Sequence, residues 1–209
     1  MKLCMFSPKE LELERGWPGR IEGDRVIQLA AQTLQAFFTG GGTAREHAEY
    51  PLEEVALRAP VIHPPSIRIF DGSDFAFANS ASVYGPEDEI PFPEGAESVD
   101  SELRVAAIVG AHHSIGGFTL MNDWAAAGLE GAKARDFAVS LGPVVVTPDE
   151  LTPPGGWDAL VEHAARNTRL LPGDVIAGEG VRGGRELRPG DSVEVELEGI
   201  GVLRNTIGD

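Results

Sequence analysis

Short apolar runs broken by glycine, proline and acidic residues fill this chain, and few segments keep apolar residues at helical spacing. Lys2 to Phe6 reads as a short strand. Arg20-Ile21 and Val26-Ile27 flank the turn Glu22-Gly23-Asp24 and read as a hairpin. Gln28 to Phe38 reads as a helix with Leu29, Leu34, Phe37 and Phe38 on one side, stopped by Gly40 to Gly42. Glu54 to Leu57 is a further strand before Pro60, Pro64 and Pro65. From about Ser66 onward the pattern is strand after strand: Ile67-Phe70, Phe75-Phe77, Glu102-Val109, Gly117-Met121, Val144-Thr147, Asp174-Ala177, Ser192-Leu197 and Val202-Arg204. Pro172-Gly173-Asp174 and Pro189-Gly190-Asp191 are strand-entry turns, each followed by β formers. Trp157 to Ala165 is the best helix, with Leu160, Val161 and Ala164 on its apolar positions.

This pattern predicts a mixed, mostly β protein with a small N-terminal α/β domain over residues 1–65 and a β core domain over 66–209. A chain of 209 residues is long enough to bury a real core. The longest apolar run, Val105 to Val109, is far short of the roughly 20 residues needed to span a bilayer. The start, Met1 to Phe6, carries neither an extended apolar stretch nor a small-residue cleavage site. Cys4 is the only cysteine, which excludes an intramolecular disulfide and fits a reducing, cytoplasmic setting. The formal net charge of −16 argues against nucleic acid, whose phosphates demand a basic face, and against an anionic membrane surface. It would also repel an anionic substrate unless local cations overcome the field.

Several segments in one order resemble the fumarylacetoacetate hydrolase family. Glu102 to Gly110 followed by Gly116 to Trp124 is similar to the family's central signature. Ala132 to Asp136, Leu141 to Glu150, Leu171 to Ile176 and Leu187 to Asp191 follow in the family's order, and Val193 to Asn205 resembles its closing segment. Upstream, Leu57 to Ser66 is similar to the piece that joins the small N-terminal domain to the core. The resemblance implies the family's β-sandwich roll, a dimer, and small-molecule chemistry on 2-oxo acids or β-dicarbonyls.

The resemblance also implies a divalent cation, Mg²⁺ or Mn²⁺, held by a Glu-x-Glu on one strand and the Asp of an Asn-Asp pair. Residues i and i+2 share a strand face, and hard oxygen ligands suit these ions. In this sequence Glu102 and Asp123 match the pattern, but Arg104 stands where the second glutamate belongs. A guanidinium is positive at any relevant pH, so the expectation is that Arg104 bridges Glu102 and Asp123 in place of the metal. No cofactor is therefore expected, and Mg²⁺ or Mn²⁺ only if the site survives.

Other positions depart from the family. Ala125 to Gly128 replaces a Ser-Ala-Arg-Asp, a Gly-Thr pair becomes Glu179-Gly180, and only Ile69 to Asp74 stand where many relatives have a longer lid with a water-activating His. Lys133 matches the family's substrate-contacting lysine, and Arg135 reads as a solvated or paired cation. Tyr84 and Gly180 are the further candidates for the pocket wall. His112-His113 sits in a turn, while His47, His63 and His163 read as structural or solvated, and Ser114 and Ser140 lack a His/Asp framework.

Two functions are expected. One is an enzyme on an enolisable β-dicarbonyl or 2-oxo acid, performing isomerisation, cyclisation, decarboxylation or C–C hydrolysis. There Arg104 and Lys133 bind the substrate anion while Glu102 or Asp123 moves a proton. The other is a non-catalytic paralogue that dimerises with or regulates an intact relative. The partners expected are a small molecule and a second copy, or an intact relative in a heterodimer.

Overall fold

A computed structural model of the chain describes residues 1–11, 13 and 15–209. The N-terminal part supplies β1 (Lys2–Pro8), β2 (Trp17–Glu22), β3 (Arg25–Leu29), α1 (Leu34–Thr39), β4 (Glu46–Pro51) and β5 (Val55–Arg58). Then come β6 (Ile67–Asp71), β7 (Asp74–Ala78), β8 (Val83–Tyr84), β9 (Glu89–Ile90), β10 (Ser98–Val109), β11 (Ile115–Ala127) and β12 (Val139–Val146). The chain ends with α2 (Trp157–Ala165), β13 (Val175–Arg182), β14 (Ser192–Leu197) and β15 (Gly201–Ile207). The mostly β expectation holds.

Twelve strands share one sheet, ordered β4-β3-β2-β1-β12-β11-β10-β13-β6-β7, with β5 added on β1 and β8 on β12. β14, β15 and β9 form a second, three-stranded sheet. The N-terminal strands join the rest through β1, which pairs antiparallel with β12 at Lys2↔Val146 and Leu3↔Val145. β12 is buried along its whole length because both its faces are covered. Val139, Leu141 and Val145 enter a core with Leu3, Met5, Ile108 and Met121. Val144 and Val146 enter another with Phe6, Phe118 and Trp157, which meets Leu203 of the second sheet and Ile200 in the turn before β15. A strand wedged between two cores needs apolar residues on both sides, which is why Val139 to Val146 reads as a continuous run.

The expected helix from Gln28 to Phe38 is shorter than its pattern suggests. Residues as far as Leu29 belong to β3, where Val26 and Ile27 pair with β2 and β4. The helix begins only after Thr33, whose Oγ1 accepts a hydrogen bond from the Ala36 amide at 3.0 Å. Such a cap is worth about 1 kcal/mol, and it fixes the start of a helix that buries Leu34, Phe37 and Phe38. β4 had no strong apolar alternation to announce it; it forms because β3 offers it an edge. α2 agrees with its pattern, burying Trp157, Val161 and Ala164 at helical spacing.

The longest strand pair is β10 with β11, in register from Ser98↔Ala127 to Ile108↔Gly117. The intervening turn carries His112 and His113 with φ of 54° and 61°, both exposed. β13 lies on the other side of β10, matching Glu102 to Arg182 and Arg104 to Gly180. The pairing shifts between Arg104 and Ala106, so that β13 bulges beside Arg104. No helix among the described residues is long and apolar enough to cross a membrane.

Candidate functional site

Side chains alternate along β10, so Glu102 and Arg104 leave the same face as Ala106 and Ile108. Asp123 stands directly opposite Glu102 on β11 and shares that face with Met121. Two paired strands thus bring together residues that lie far apart in the sequence. The carboxylate of Asp123 is only 2% exposed and that of Glu102 13%.

Arg104, 5% exposed, lies between them. Its Nη2 is 2.8 Å from Glu102 Oε1, and its Nε is 3.7 Å from Asp123 Oδ2. Nη1 donates to the carbonyls of Phe70 at 3.0 Å and Gly178 at 2.8 Å. The β13 bulge presents the second of these acceptors. Nε is buried without a hydrogen-bond partner. The expected bridge between the two carboxylates is therefore present, and it is anchored to two backbone oxygens that the sequence did not announce.

Two further guanidiniums complete the cluster. Arg135 ends the short 3₁₀ turn Gly131–Ala134 and reaches back to Asp123, donating from Nη1 to Oδ2. Its Nη2 stands 3.8 Å from Glu102 Oε2, and its side chain is 42% exposed. Arg182, from the end of β13, places Nε 3.8 Å from the same Oε2 and is 74% exposed. Two carboxylates and three guanidiniums leave one net positive charge, in a chain whose total is −16. Burial pushes the Asp123 carboxyl above the usual range, while Arg135 and Arg104 pull it down and Glu102 pushes it up again.

Gly180 adjoins the cluster for a steric reason. A Cβ there would lie 2.4 Å from Glu102 Oε1, so only glycine leaves Glu102 room to lie against β13. Lys133 is placed elsewhere: its side chain is 81% exposed and its Nζ is 2.8 Å from Asp136 Oδ2. Tyr84 packs with Trp124 and Ala126, which point to the opposite face of β11 from Asp123. It lines a cavity of about 400 Å³ with Arg58, Ile62 and Asp88. Of the candidate residues, Glu102, Arg104, Asp123 and Gly180 meet; Lys133 and Tyr84 do not join them. Arg182 went unnoticed in the sequence. Its signal was Gly180-Val181-Arg182, two residues on one strand face, legible only once β13 is known to pair with β10.

The implied divalent cation does not fit these residues. A three-carboxylate site would put its ion where the Arg104 guanidinium lies. Among the described residues, no group of three His, Cys, Asp or Glu side chains is placed to hold a metal. Unit charges of like sign about 4 Å apart repel by roughly 4 kcal/mol at an effective dielectric of 20.

A family model described as fumarylacetoacetate (FAA) hydrolase C-terminal matches residues 44–159 and 155–208. The chain belongs to the fumarylacetoacetate hydrolase family. An uncharacterised protein of Methanocaldococcus jannaschii is 33% identical over 172 residues, covering 65% of this chain and 72% of that one. The mitochondrial oxaloacetate tautomerase Fahd2a of Rattus norvegicus is 23% identical, covering 99% of this chain and 91% of its own. Among solved structures, 5-carboxymethyl-2-hydroxymuconate delta-isomerase from Mycobacterium smegmatis superposes with a TM-score of 0.80 at 23% identity, covering 100% and 99% of the two chains. Maleylpyruvate hydrolase from Sphingobium sp. SYK-6, in complex with manganese (II) ion and pyruvate, superposes with a TM-score of 0.77 at 19% identity, over 100% and 99%. The fold is thus that of the family, and the relatives and neighbours whose names state an activity include isomerases, a hydrolase and a tautomerase.

Proposed function

We propose that this protein is an enzyme that interconverts keto and enol forms, or double-bond isomers, of a small 2-oxo acid or β-dicarbonyl, with guanidiniums in the place of the family's metal. The observation that carries this reading is Asp123: a buried carboxylate with Arg135 donating to it and the Arg104 guanidinium beside it. In a tautomerisation the substrate's C–H proton passes to an Asp123 oxygen. The C–H pair becomes the new C=C bond, and the carbonyl π pair moves onto oxygen as an enolate. The same proton then returns to that oxygen to give the enol. Guanidiniums lining the site lower the energy of the enolate by charge and hydrogen bonding, as a preorganised oxyanion site does. No water has to be positioned, which suits the few residues between Arg68 and Phe75. The similarity to an oxaloacetate tautomerase supports the reaction class.

Arg104 acts here as a fixed cation, held by two carbonyls and Glu102, and Arg135 as the exposed donor that screens Asp123. The ultraviolet absorbance of enol oxaloacetate, followed with purified protein, tests the reading. Wild type should accelerate ketonisation equally with and without a metal chelator, and Asp123→Asn should lose at least about a hundredfold of that acceleration. Activity abolished by chelation would overturn the metal-free site. Unchanged activity in Asp123→Asn would overturn the proton role.

A second reading, a non-catalytic paralogue paired with an intact relative, draws on one observation: Arg104 spends its donors on the protein's own groups and blocks the centre. No acceleration with any enolisable 2-oxo acid, together with copurification of an intact relative, would favour it.

A further inference from the structure

The mouth of the cluster holds a mismatch. Glu102 Oε1 is ion-paired with Arg104 at 2.8 Å, but Oε2 sits 3.8 Å from both Arg135 and Arg182. That separation is too long for a hydrogen bond, so two guanidiniums face one carboxylate oxygen without bonding it. Neither Arg135 nor Arg182 is deeply buried, and Arg182 has no other ion-pair partner among the described residues. The carboxylate is also seated deliberately low, in a space that exists only because residue 180 has no Cβ.

We propose that Glu102 is a built-in competing ligand of an anion site formed by Arg135 and Arg182, and that a small planar carboxylate binds there by displacing Glu102 Oε2. The site is an addition to the tautomerase reading and rests on it for the class of anion, but its binding step stands on the geometry above. A planar carboxylate can take two parallel N–H bonds from a guanidinium fork, which the 3.8 Å contacts to Glu102 do not supply. Arg104 stays in place during this exchange, because its two carbonyl anchors do not involve the ligand. The internal carboxylate offsets part of the charge of the two arginines when the site is empty and sets a threshold that a ligand must exceed. Glu102 lies in the room that a Cβ at residue 180 would take, so that the same glycine both makes the competitor's berth and limits its reach.

Calorimetry with oxalate, a planar dianion that cannot tautomerise, tests this, with inorganic phosphate as the second arm. Glu102→Gln keeps an acceptor for Arg104 but removes the competing charge. Gly180→Ala pushes the carboxylate out of its berth while leaving its charge in the protein; no left-handed backbone at Gly180 forbids alanine. Glu102→Gln should bind oxalate about tenfold more tightly than wild type, the scale of two partly exposed ion pairs removed from competition, whereas Gly180→Ala, which drives the same charge out of its berth toward the ligand, should bind it more weakly. Arg182→Ala should bind more weakly than wild type and should cancel the gain when combined with Glu102→Gln. Equal oxalate affinity in wild type, Glu102→Gln and Gly180→Ala would overturn the competition. Phosphate matching oxalate in affinity would overturn the planar-carboxylate class. Oxalate binding that follows this pattern without any ketonisation would sink the tautomerase alone, and ketonisation without the pattern would sink this inference alone.

Discussion

Arg104→Met removes the guanidinium and keeps an unbranched chain of similar length. Wild-type Arg104 is 5% exposed, donates to two backbone carbonyls, pairs with Glu102 and lies beside Asp123. The variant leaves the carbonyls of Phe70 and Gly178 without that donor and two carboxylates with one close cation fewer. Each charged hydrogen bond lost is worth about 1.5–3 kcal/mol in isolation, but the effects overlap because the released groups share water and relax together. Breaking a buried pair from one side costs about 3–5 kcal/mol, and that is the expected loss here. For a domain of this size each kcal/mol moves the midpoint by about 2–4 °C, so the melting temperature should fall by about 10 °C. Urea unfolding followed by tryptophan fluorescence measures the loss directly, with unchanged m-value as the check on two-state behaviour. Arg104→Lys should recover only part of it, because an ammonium cannot reach two carbonyls and a carboxylate in the guanidinium's planar geometry. A loss under about 1 kcal/mol in Arg104→Met would refute the claim that this guanidinium holds the centre together.

Arg104→Glu should turn the same position into a third carboxylate, and calorimetry against Mn²⁺ should then show binding that wild type lacks; tight binding by wild type would return the metal to the site. Burial pushes the Cys4 thiol from 9.0 up to about 12, so the folded protein disfavours the thiolate. Stability should be unaffected by this group below pH 9 and fall above it by about 1.4 kcal/mol per pH unit, a slope that Cys4→Ala should remove. An aromatic disulfide reagent should label Cys4 only as fast as the protein unfolds, and rapid labelling of native protein would contradict its burial. The outer strand β7 exposes Phe77, and we expect copies to pair in solution; light scattering should give twice the chain mass at micromolar concentration, and a monomer would count against pairing.

Local chemistry made much of this protein legible before any coordinates. Alternation and turn residues placed most strands and the helix at Trp157. The i, i+2 spacing of Glu102 and Arg104 put both on one face, and the charge of Arg104 excluded a simple three-carboxylate site. What the pattern could not supply was adjacency. Gln28 and Leu29 look helical until β2 and β4 claim β3 from either side, because strand pairing rewards residues far apart in the chain. Lys133 and Arg135 are two residues apart and carry the same charge. Only the turn after Glu130 decides that Arg135 reaches Asp123 while Lys133 faces solvent beside Asp136. Arg182 meets Glu102 through the register of β13 on β10, and the bulge in that register supplies the Gly178 carbonyl to Arg104. Periodicity is a property of neighbours along the chain. The charge balance of this centre is a property of neighbours across three strands and a turn, fixed only when the sheet closes its register.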